Sequence, residues 1–384
     1  MIVLSSPHLG FVGGIERHVF DLAGGLAARG HRVGLVYGAE SGSDSARFAG
    51  RFDAVEPMAS ARSLLRRARA AYFHKLAPEQ FFDALPAAAP RAVAVHDHDA
   101  TCVRRHRYVP LTNAPCERAG GIECLLHGCV VVRTRGQLAP LGVRDPFALA
   151  RATRELSARA ELVACSEFLR RSLLAAGVAP HRVRVIHPVP PPSAVGPTPP
   201  PSEHRLLFVG QVIRGKGLDL LLDALALLPG ASLTVAGGGS SLEAEIQHAE
   251  ALGIAPRVRF LGPIAAEQVD VEYGRARVVV VPSRWPEPFG MVGVEAMRQG
   301  RVVVGARHGG IPEWLAEGQV GLAFRPGDAA DLAKVLQAAL THSRYDAMAS
   351  AGRERARTVF GFGSMTERVE RLLGLERETI APCA

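Results

Sequence analysis

The second half of this 384-residue chain repeats one pattern that restricts the fold more than any other feature. Short apolar runs alternate with segments in which apolar residues recur every three or four positions. The first kind is typical of strands buried on both faces, and the second of amphipathic helices. The predicted strands are 204–210, 232–236, 258–261, 278–282 and 302–306, and the predicted helices are 216–228, 241–252, 290–299 and 329–340. Such alternation indicates a parallel sheet covered by helices.

The first half alternates in the same way but less regularly. Strands are predicted over 2–5, 32–37, 71–74, 91–96, 161–165 and 183–187, and a helix over 14–29. The pattern fails between about residues 99 and 144, where cysteines, histidines and arginines cluster, and this segment is interpreted as an insertion or an ordered loop. The prolines of 188–201 exclude a helix or a central strand and favour an extended connector.

These patterns predict an α/β fold of two doubly wound, Rossmann-like domains. The predicted parts are a first domain over 1–187 with a Cys-rich insertion at about 99–144, a Pro-rich linker over 188–203, a second domain over 204–360, and a C-terminal helical segment over 361–384. Doubly wound sheets bind ligands at the carboxyl ends of their strands. We therefore expect the functional loops there.

Composition excludes several classes of protein. Hydrophobic residues make up 48% and charged residues 21%, which is typical of a globular chain with a sizeable core. No run of 18 residues is apolar throughout, and the first residues lack the basic flank of a signal peptide, so a cytoplasmic location is expected. The net charge of +8 favours an anionic partner. Nucleic acid is not expected, because no basic run is interleaved with aromatic residues.

The stretch SRWPEPFGMVGVEAMRQG, residues 283–300, combines two carboxylates with a helix start. Glu287 lies in a predicted turn, and Glu295 follows eight residues later on the helix. The backbone amides of Phe289, Gly290 and Met291 would be free at the helix N-terminus, where unpaired N–H groups and the helix dipole bind anions. Two carboxylates beside such a site could hold hydroxyl pairs on either side of a diphosphate.

This stretch resembles the E-x7-E signature of retaining glycosyltransferases of the GT-B fold, family 4. Four further segments resemble the same family in the same order: GGIERHVFDLAGGLAARGHRV, VACSEFLRRSLLAAGV, FVGQVIRGKGLDLLLDAL and GARHGGIPEWL. The resemblance covers nearly the whole chain outside about 99–144 and the last residues. It implies transfer of a sugar from a nucleotide-diphosphate donor to an acceptor hydroxyl with retention of configuration and without a cofactor in catalysis. It also implies that the last helix crosses back to the first domain.

The resemblance assigns roles to residues of the second domain. Glu295 would hold the donor ribose, Glu287 would bind sugar hydroxyls beside the 289–291 amides, and Lys216 would neutralise the diphosphate. The family usually has an arginine where this chain has Gln211, and Arg214 in the same loop could supply the missing charge.

In the first domain, the resemblance places Gly13 and Gly14 in a loop that closes over the diphosphate. Glycines there let the backbone approach a phosphate closely. His96 is similar to the family histidine at the cleft that contacts the donor sugar and the reaction centre.

Four of the six cysteines, namely Cys102, Cys116, Cys124 and Cys129, lie within 28 residues. The gaps of 13, 7 and 4 residues between them are not those of paired CxxC zinc knuckles. Two interpretations stay open: a structural zinc or iron–sulfur site, or small buried thiols in an irregular loop.

The basic stretch 60–72 is either a solvated helix or a contact with an anionic membrane, which would place the protein peripherally on the inner face. The acceptor is not identified by the sequence, and bacterial glycan, polysaccharide, glycolipid and natural-product biosynthesis all fit. The alternative function is a catalytically silent GT-B binding or scaffold subunit, which Gln211 favours.

Overall fold

The computed structural model describes residues 1–75, 79–110, 112, 114–118, 120–133, 141–193 and 195–375. The strands of the first half are β1 (Ile2–His8), β2 (Val33–Ala39), β3 (Ala54–Pro57), β4 (Ala70–His74), β5 (Arg91–Val95), β6 (Val131–Arg133), β7 (Leu141–Val143), β8 (Glu161–Ala164) and β9 (Val183–Val185). Those of the second half are β10 (Arg205–Val209), β11 (Ser232–Ala236), β12 (Val258–Gly262), β13 (Val278–Val281), β14 (Val302–Ala306) and β15 (Gly321–Phe324).

Helices lie between most of these strands. In the first half they are α1 (Gly14–Ala28), α2 (Ser45–Ala49), α3 (Arg62–Arg66), α4 (Glu79–Ala84), α5 (Ile122–Leu126), α6 (Pro146–Arg159) and α7 (Glu167–Ala175). In the second half they are α8 (Leu218–Ala226), α9 (Leu242–Ala251), α10 (Ala266–Arg275), α11 (Met291–Arg298), α12 (Ile311–Leu315), α13 (Ala329–Leu340), α14 (Tyr345–Thr358) and α15 (Phe362–Leu372). Short 3-10 turns cover Pro180–Arg182, Arg214–Lys216 and Ala255–Arg257.

Two wholly parallel sheets organise the described chain. The first has the strand order β3-β2-β1-β4-β5-β8-β9, and the second has the order β12-β11-β10-β13-β14-β15. In each, the order reverses beside the first strand, which is the doubly wound arrangement. The central strands are buried on both faces, as in the all-buried VVVV of β13. The predicted α/β fold of two Rossmann-like domains is confirmed.

Most predicted elements of the second half lie within two residues of their observed bounds, because burial on both faces leaves an unmistakable apolar run. The stretch 60–72 departs from its prediction. Its helix is only Arg62–Arg66, and Leu64 and Leu65 on it are buried, while β4 begins at Ala70. It therefore forms no long basic helix that could rest on a membrane.

The Pro-rich connector is extended and held against the second domain. Arg277 donates a hydrogen bond to the carbonyl of Pro201 at 2.9 Å, and Arg301 donates one to Thr198 Oγ1 at 2.7 Å. Arg298 donates to the carbonyl of Pro191 at 3.0 Å. The connector has no strand pairing, and arginine side chains therefore donate the hydrogen bonds that its carbonyl groups accept.

The last described helix, α15, packs against α1 of the first sheet. Glu370 accepts from Arg29 Nε at 2.5 Å and lies 2.6 Å from His31 Nε2. The chain thus returns from the second sheet to the first near its end, whereas residues 376–384 of the predicted C-terminal segment lie outside the described residues.

The segment between β5 and α6 contains short elements that its composition did not predict. The helix α5 is followed by an antiparallel hairpin, β6–β7, which stands apart from both sheets. None of the helices in the described part of the chain combines the length and the apolar character needed to cross a bilayer.

At the carboxyl edge of the second sheet, the loops after β13 and β14 pack backbone against backbone. The N–H of Gly310 donates to the carbonyl of Glu287 at 2.7 Å. Gly309 has φ +65°, and a Cβ there would lie 2.5 Å from the carbonyl oxygen of Glu287. Only glycine fits this contact, so the HGG sequence of this loop supports the turn that carries Glu287.

We predict that Gly309→Ala destabilises the second domain more than Gly318→Ala. Gly318 also has positive φ, at +79°, but open space surrounds its Cβ position. Each variant should lose about 1 kcal/mol of unfolding free energy for the left-handed backbone, and Gly309→Ala about 1–3 kcal/mol more for the clash. Both tryptophans, Trp285 and Trp314, lie in this domain, so their fluorescence in a urea titration measures the difference. Equal losses of unfolding free energy in the two variants would contradict the close contact between Gly309 and the carbonyl of Glu287.

Candidate functional site

Glu287 lies in the turn after β13 with its side chain almost fully buried. Its Oε1 atom accepts from Lys216 Nζ at 2.6 Å, Ser283 Oγ at 2.6 Å and Trp285 Nε1 at 3.1 Å. Burial alone would raise the pKa of this carboxyl, but the Lys216 ammonium and the three hydrogen bonds outweigh it and hold the pKa below its ordinary value. Glu287 is therefore an ionised carboxylate in a site largely shielded from water.

Lys216 comes from the 3-10 turn that follows β10, the strand beside β13. The N–H of Arg284 donates to the carbonyl of Gly215 at 2.9 Å, which joins the two loops. Gly217 ends the turn with φ +72°, and a Cβ there would lie 2.2 Å from the carbonyl oxygen of Pro282. Adjacent parallel strands thus deliver the cation and the carboxylate to the same edge.

The N-terminus of α11 presents unpaired amides beside Glu287. Within the described part of the chain, the N–H groups of Phe289, Gly290 and Met291 donate no hydrogen bond. Trp314 fixes this backbone, because its Nε1 donates to the carbonyl of Phe289 at 2.7 Å. Free amides at the start of a helix can bind an anion.

Glu295, on the second turn of α11, lies in a separate hydrogen-bond network. Its Oε2 accepts from the Tyr273 hydroxyl at 2.7 Å. Burial raises the pKa of Glu295 above its ordinary value, although the hydrogen bond from Tyr273 acts in the opposite direction. The two glutamates of the signature therefore differ: the environment favours the charge on Glu287 and disfavours it on Glu295.

The loop of Gly13 and Gly14, after β1, meets the second domain. A Cβ on Gly13 would lie 3.7 Å from Gln211 Nε2, and one on Gly14 would lie 3.0 Å from Met291 Cε. The guanidinium of Arg214 is exposed and makes no ion pair or hydrogen bond with any described residue. The structure thus brings this glycine loop, Gln211 and the start of α11 together, and leaves the Arg214 guanidinium uncommitted.

His96 follows β5 and belongs to a group of three imidazoles, of which His18 and His74 are buried and His96 is half-buried. Its Nε2 lies 2.8 Å from Nδ1 of His74, and the ring of His18 lies against both. Burial first, and then the nearby ammonium of Lys75, lower the pKa of His96 to about 4. The sequence analysis singled out His96 but assigned no role in the site to His74 or His18.

His98 and Glu313 tie the two domains together, and sequence reasoning missed both roles. His98 is buried, and its Nε2–H donates to the carbonyl of Pro286 at 2.7 Å, next to Glu287. Glu313 accepts from the backbone N–H groups of Glu167 and Phe168 at 2.9 and 2.8 Å, where a carboxylate also complements the dipole of α7. The stretch VHDHD after a strand was the only available signal for His98.

The four clustered cysteines line one cavity together with Arg107 and Tyr108. In the part of the chain that the structure describes, the only group of three or more metal-capable side chains with ligand atoms within 4.8 Å of one another is histidine-based and contains no cysteine. A tetrahedral zinc–thiolate site with bonds of about 2.3 Å needs sulfur atoms about 3.8 Å apart. Of the two interpretations that the sequence left open, the structural metal at the cysteines is therefore not supported.

Burial raises the pKa of the Cys124 thiol, and it raises the pKa of the Cys129 thiol to about 11. Tyr108, in the same segment, lies close to the second domain, where the guanidinium groups of Arg284 and Arg214 partly offset the rise that burial causes in its pKa. No pattern in the sequence signals that this irregular segment reaches the loops of the second sheet.

Two family models match the chain in succession. The model described as Glycosyltransferase Family 4 matches residues 12–189, and that described as Glycosyl transferases group 1 matches residues 197–355. D-inositol 3-phosphate glycosyltransferase of Mycolicibacterium smegmatis is 39% identical over 146 residues, 36% of this chain and 33% of the relative. Mannosylfructose-phosphate synthase of Agrobacterium fabrum is 30% identical over 190 residues, 46% of this chain and 41% of the relative. The matched segments thus span about a third to two fifths of these relatives.

Solved structures agree over nearly the whole chain. HepE of Anabaena in complex with UDP and glucose superposes with a TM-score of 0.74 at 18% identity, covering 97% of this chain and 99% of that one. WaaG, a glycosyltransferase involved in lipopolysaccharide biosynthesis, gives a TM-score of 0.68 at 20% identity, with 97% and 99% covered. At these identities the likeness concerns the fold. The two family models and the shared fold together establish that the chain belongs to the GT-B glycosyltransferases of family 4 type.

Proposed function

We propose that this protein transfers a sugar from a nucleotide-diphosphate donor to an acceptor hydroxyl with retention of anomeric configuration. The observation that carries the proposal is the group formed by Glu287, Lys216 and the free amides of 289–291 at the carboxyl edge of the second sheet. It offers a carboxylate for hydroxyls and cationic and amide donors for phosphate within one loop cluster. The solved complexes of HepE with UDP and with UDP-glucose support a nucleotide-sugar donor.

In the proposed mechanism, the protein stabilises the charge that grows on the departing nucleoside diphosphate. Lys216 and the 289–291 amides are held in place before the reaction, and such donors act most strongly where water is excluded. Arg214 adds a second cation from the loop of Lys216. Glu287 accepts hydrogen bonds from the sugar and Glu295 from the ribose. We assign no divalent ion or other cofactor to catalysis.

The first domain completes the proposed site. The Gly13–Gly14 loop closes over the diphosphate, and His96 lies beside the reaction centre. The acceptor attacks from the face that the leaving group occupies, with a phosphate oxygen taking its proton. The proposed domain limits are 1–187 and 204–360, with 188–203 as linker and 361–384 as the returning segment. The acceptor belongs to bacterial glycan, polysaccharide, glycolipid or natural-product biosynthesis.

The alternative, a catalytically silent GT-B scaffold, has one observation in its favour. Gln211 stands where the family has an arginine and cannot supply a charge. Arg214 argues against it, because its guanidinium is exposed and unpaired on the same loop.

We predict that Glu287→Gln lowers kcat/KM at least about 100-fold, because one preorganised transition-state hydrogen bond is worth about that much. Glu317→Gln is the matched control, since Glu317 is an exposed glutamate paired with Arg307 in a neighbouring loop. Release of nucleoside diphosphate measures turnover, and circular dichroism verifies folding. Wild-type turnover by Glu287→Gln would remove this glutamate from the mechanism.

Arg214→Gln should weaken binding of the donor nucleoside diphosphate about tenfold, because a charge-assisted hydrogen bond contributes roughly 1.5–3 kcal/mol, or less where the group is solvated. Arg171→Gln serves as the control, because Arg171 is also exposed but lies on α7 of the first domain. Calorimetric titration of the nucleotide compares the two variants. Equal affinities would show that Arg214 does not replace the missing arginine.

A membrane contact is proposed on a surface other than 60–72, which we call the hairpin surface. Alternation places the side chains of Val131, Leu141 and Val143 on one face of β6–β7, and they are 43%, 58% and 80% exposed. Leu126 on α5 and Phe147 on α6, also exposed, extend it. Of the twelve exposed large hydrophobic side chains in the described chain, seven lie between 122 and 147.

The sequence around the hairpin surface is rich in arginine. Residues 100–151 contain eight arginines and three acidic residues, a net charge of +5 out of +8 for the whole chain. Apolar side chains flanked by arginines fit an anionic bilayer surface, because the apolar groups enter the acyl boundary and the arginines are attracted to the anionic headgroups. We propose peripheral attachment to the inner face of the cytoplasmic membrane through this surface.

The double variant Leu126→Ser/Val143→Ser should bind vesicles containing 30% phosphatidylglycerol at least about tenfold more weakly than wild type, because two exposed apolar anchors are lost. Leu227→Ser is the control, since Leu227 is 59% exposed on the second domain. Co-sedimentation measures binding. Failure of the wild-type protein to bind, or an equal loss in the control, would contradict this attachment.

A further inference from the structure

Three imidazoles from separate elements meet inside the first domain. His18 lies on α1, His74 ends β4 and His96 follows β5, and we call them the histidine cluster. One ring nitrogen from each lies within 4.8 Å of the other two. The ring centroids are 5.1 to 5.4 Å apart. The strands β1, β4 and β5 are neighbours in the sheet, so their carboxyl ends bring these side chains together.

Two ring nitrogens of the cluster, His18 Nδ1 and His74 Nε2, are buried and have no hydrogen-bond partner among the described residues. Buried polar atoms without a partner are destabilising, and native structures rarely contain them. The hydrogen bond between His74 Nδ1 and His96 Nε2 is the one hydrogen bond within the cluster. An ion that takes the place of this hydrogen bond would be held by those two nitrogens and by one ring nitrogen of His18.

A metal ligand must be the neutral imidazole with a free lone pair, and burial disfavours the protonated form of all three rings by lowering their pKa values.

We propose that His18, His74 and His96 bind one divalent transition-metal ion of the zinc class. Imidazole donors suit Zn²⁺, Co²⁺, Ni²⁺ and Cu²⁺, whereas Mg²⁺ and Ca²⁺ prefer oxygen. Zinc–nitrogen bonds of about 2.0–2.1 Å in a tetrahedron need nitrogens about 3.4 Å apart. Nitrogens within 4.8 Å of one another reach that spacing through ring movements of about 1 Å.

The charges around the cluster permit a dication. The ammonium of Lys75 acts on His96, and it lies 2.7 Å from Asp97 and 3.3 Å from Asp99. Arg105 lies 3.8 Å from Asp99. The two carboxylates offset the ammonium, so the ion would not meet an unpaired positive charge.

The ion would replace the His74–His96 hydrogen bond and link α1, β4 and β5 below the Gly13–Gly14 loop. It would also fix the ring of His96, which faces the cleft. The inference does not rest on the proposed sugar transfer, because metal binding is measured without turnover.

Cobalt titration of the chelator-stripped, full-length protein tests the site, because Co²⁺ replaces zinc and absorbs visible light. The wild-type protein should bind one equivalent of Co²⁺, and its absorption spectrum should show d–d bands but no thiolate charge-transfer band. His18→Gln and His74→Gln should each weaken binding at least about 100-fold. His248→Gln, a change at a part-exposed histidine paired with Asp223, should leave it unchanged. The double variant Cys102→Ser/Cys124→Ser should also bind like wild type. Circular dichroism verifies that each variant folds.

Two results would overturn the proposal. One is that the wild-type protein binds Co²⁺ no more tightly than a folded His18→Gln or His74→Gln variant does. The other is a thiolate charge-transfer band that disappears in the cysteine variant together with all the bound cobalt, because the metal would then belong to the cysteine cavity. Elemental analysis of the protein before stripping provides an independent readout: about one equivalent of zinc retained in wild type and lost in His18→Gln supports the site.

Discussion

The ion pair between Lys216 and Glu287 is the interaction on which the candidate site depends. It joins the loops after two adjacent strands, and it holds a charged carboxylate in a place where an unpaired one would be costly. Removing one partner of a buried pair costs about 3–5 kcal/mol in general, so both residues are constrained for stability as well as for chemistry. The surrounding groups serve the same arrangement: Gly309 lets the neighbouring loop approach Glu287, and Trp314 fixes the backbone that follows.

The fold and the two signature glutamates could be predicted because they depend on local patterns. Buried parallel strands are continuous apolar runs, and a helix start beside a Pro-Glu-Pro turn is visible in the sequence. The Lys216–Glu287 contact could not be read in this way, because it depends on β10 and β13 lying side by side although 71 positions separate the two residues. The roles of His98 and Glu313 were missed for the same reason, since each contacts the opposite domain.

The region 99–144 shows where sequence reasoning fails. Its cysteines were compatible with a metal site or with small buried thiols, and the structure shows them lining a cavity, while the group with metal-ligand spacing among the described residues is formed by histidines on or beside three regular elements. The stretch 60–72 was compatible with a solvated helix or a membrane contact, but its leucines are buried, while exposed apolar side chains lie on α5 and the β6–β7 hairpin. In both cases the composition was informative, but only the packing shows which side chains converge and which stay exposed.

The most direct test of the central claim is calorimetric titration of the wild-type protein and of Lys216→Met with a panel of nucleoside diphosphates. The account predicts that at least one nucleotide binds wild type with one-to-one stoichiometry, and that Lys216→Met binds it at least about tenfold more weakly while staying folded. A wild-type protein that binds none of the nucleotides, or a folded Lys216→Met variant with unchanged affinity, would contradict the claim that this ion pair forms the donor site.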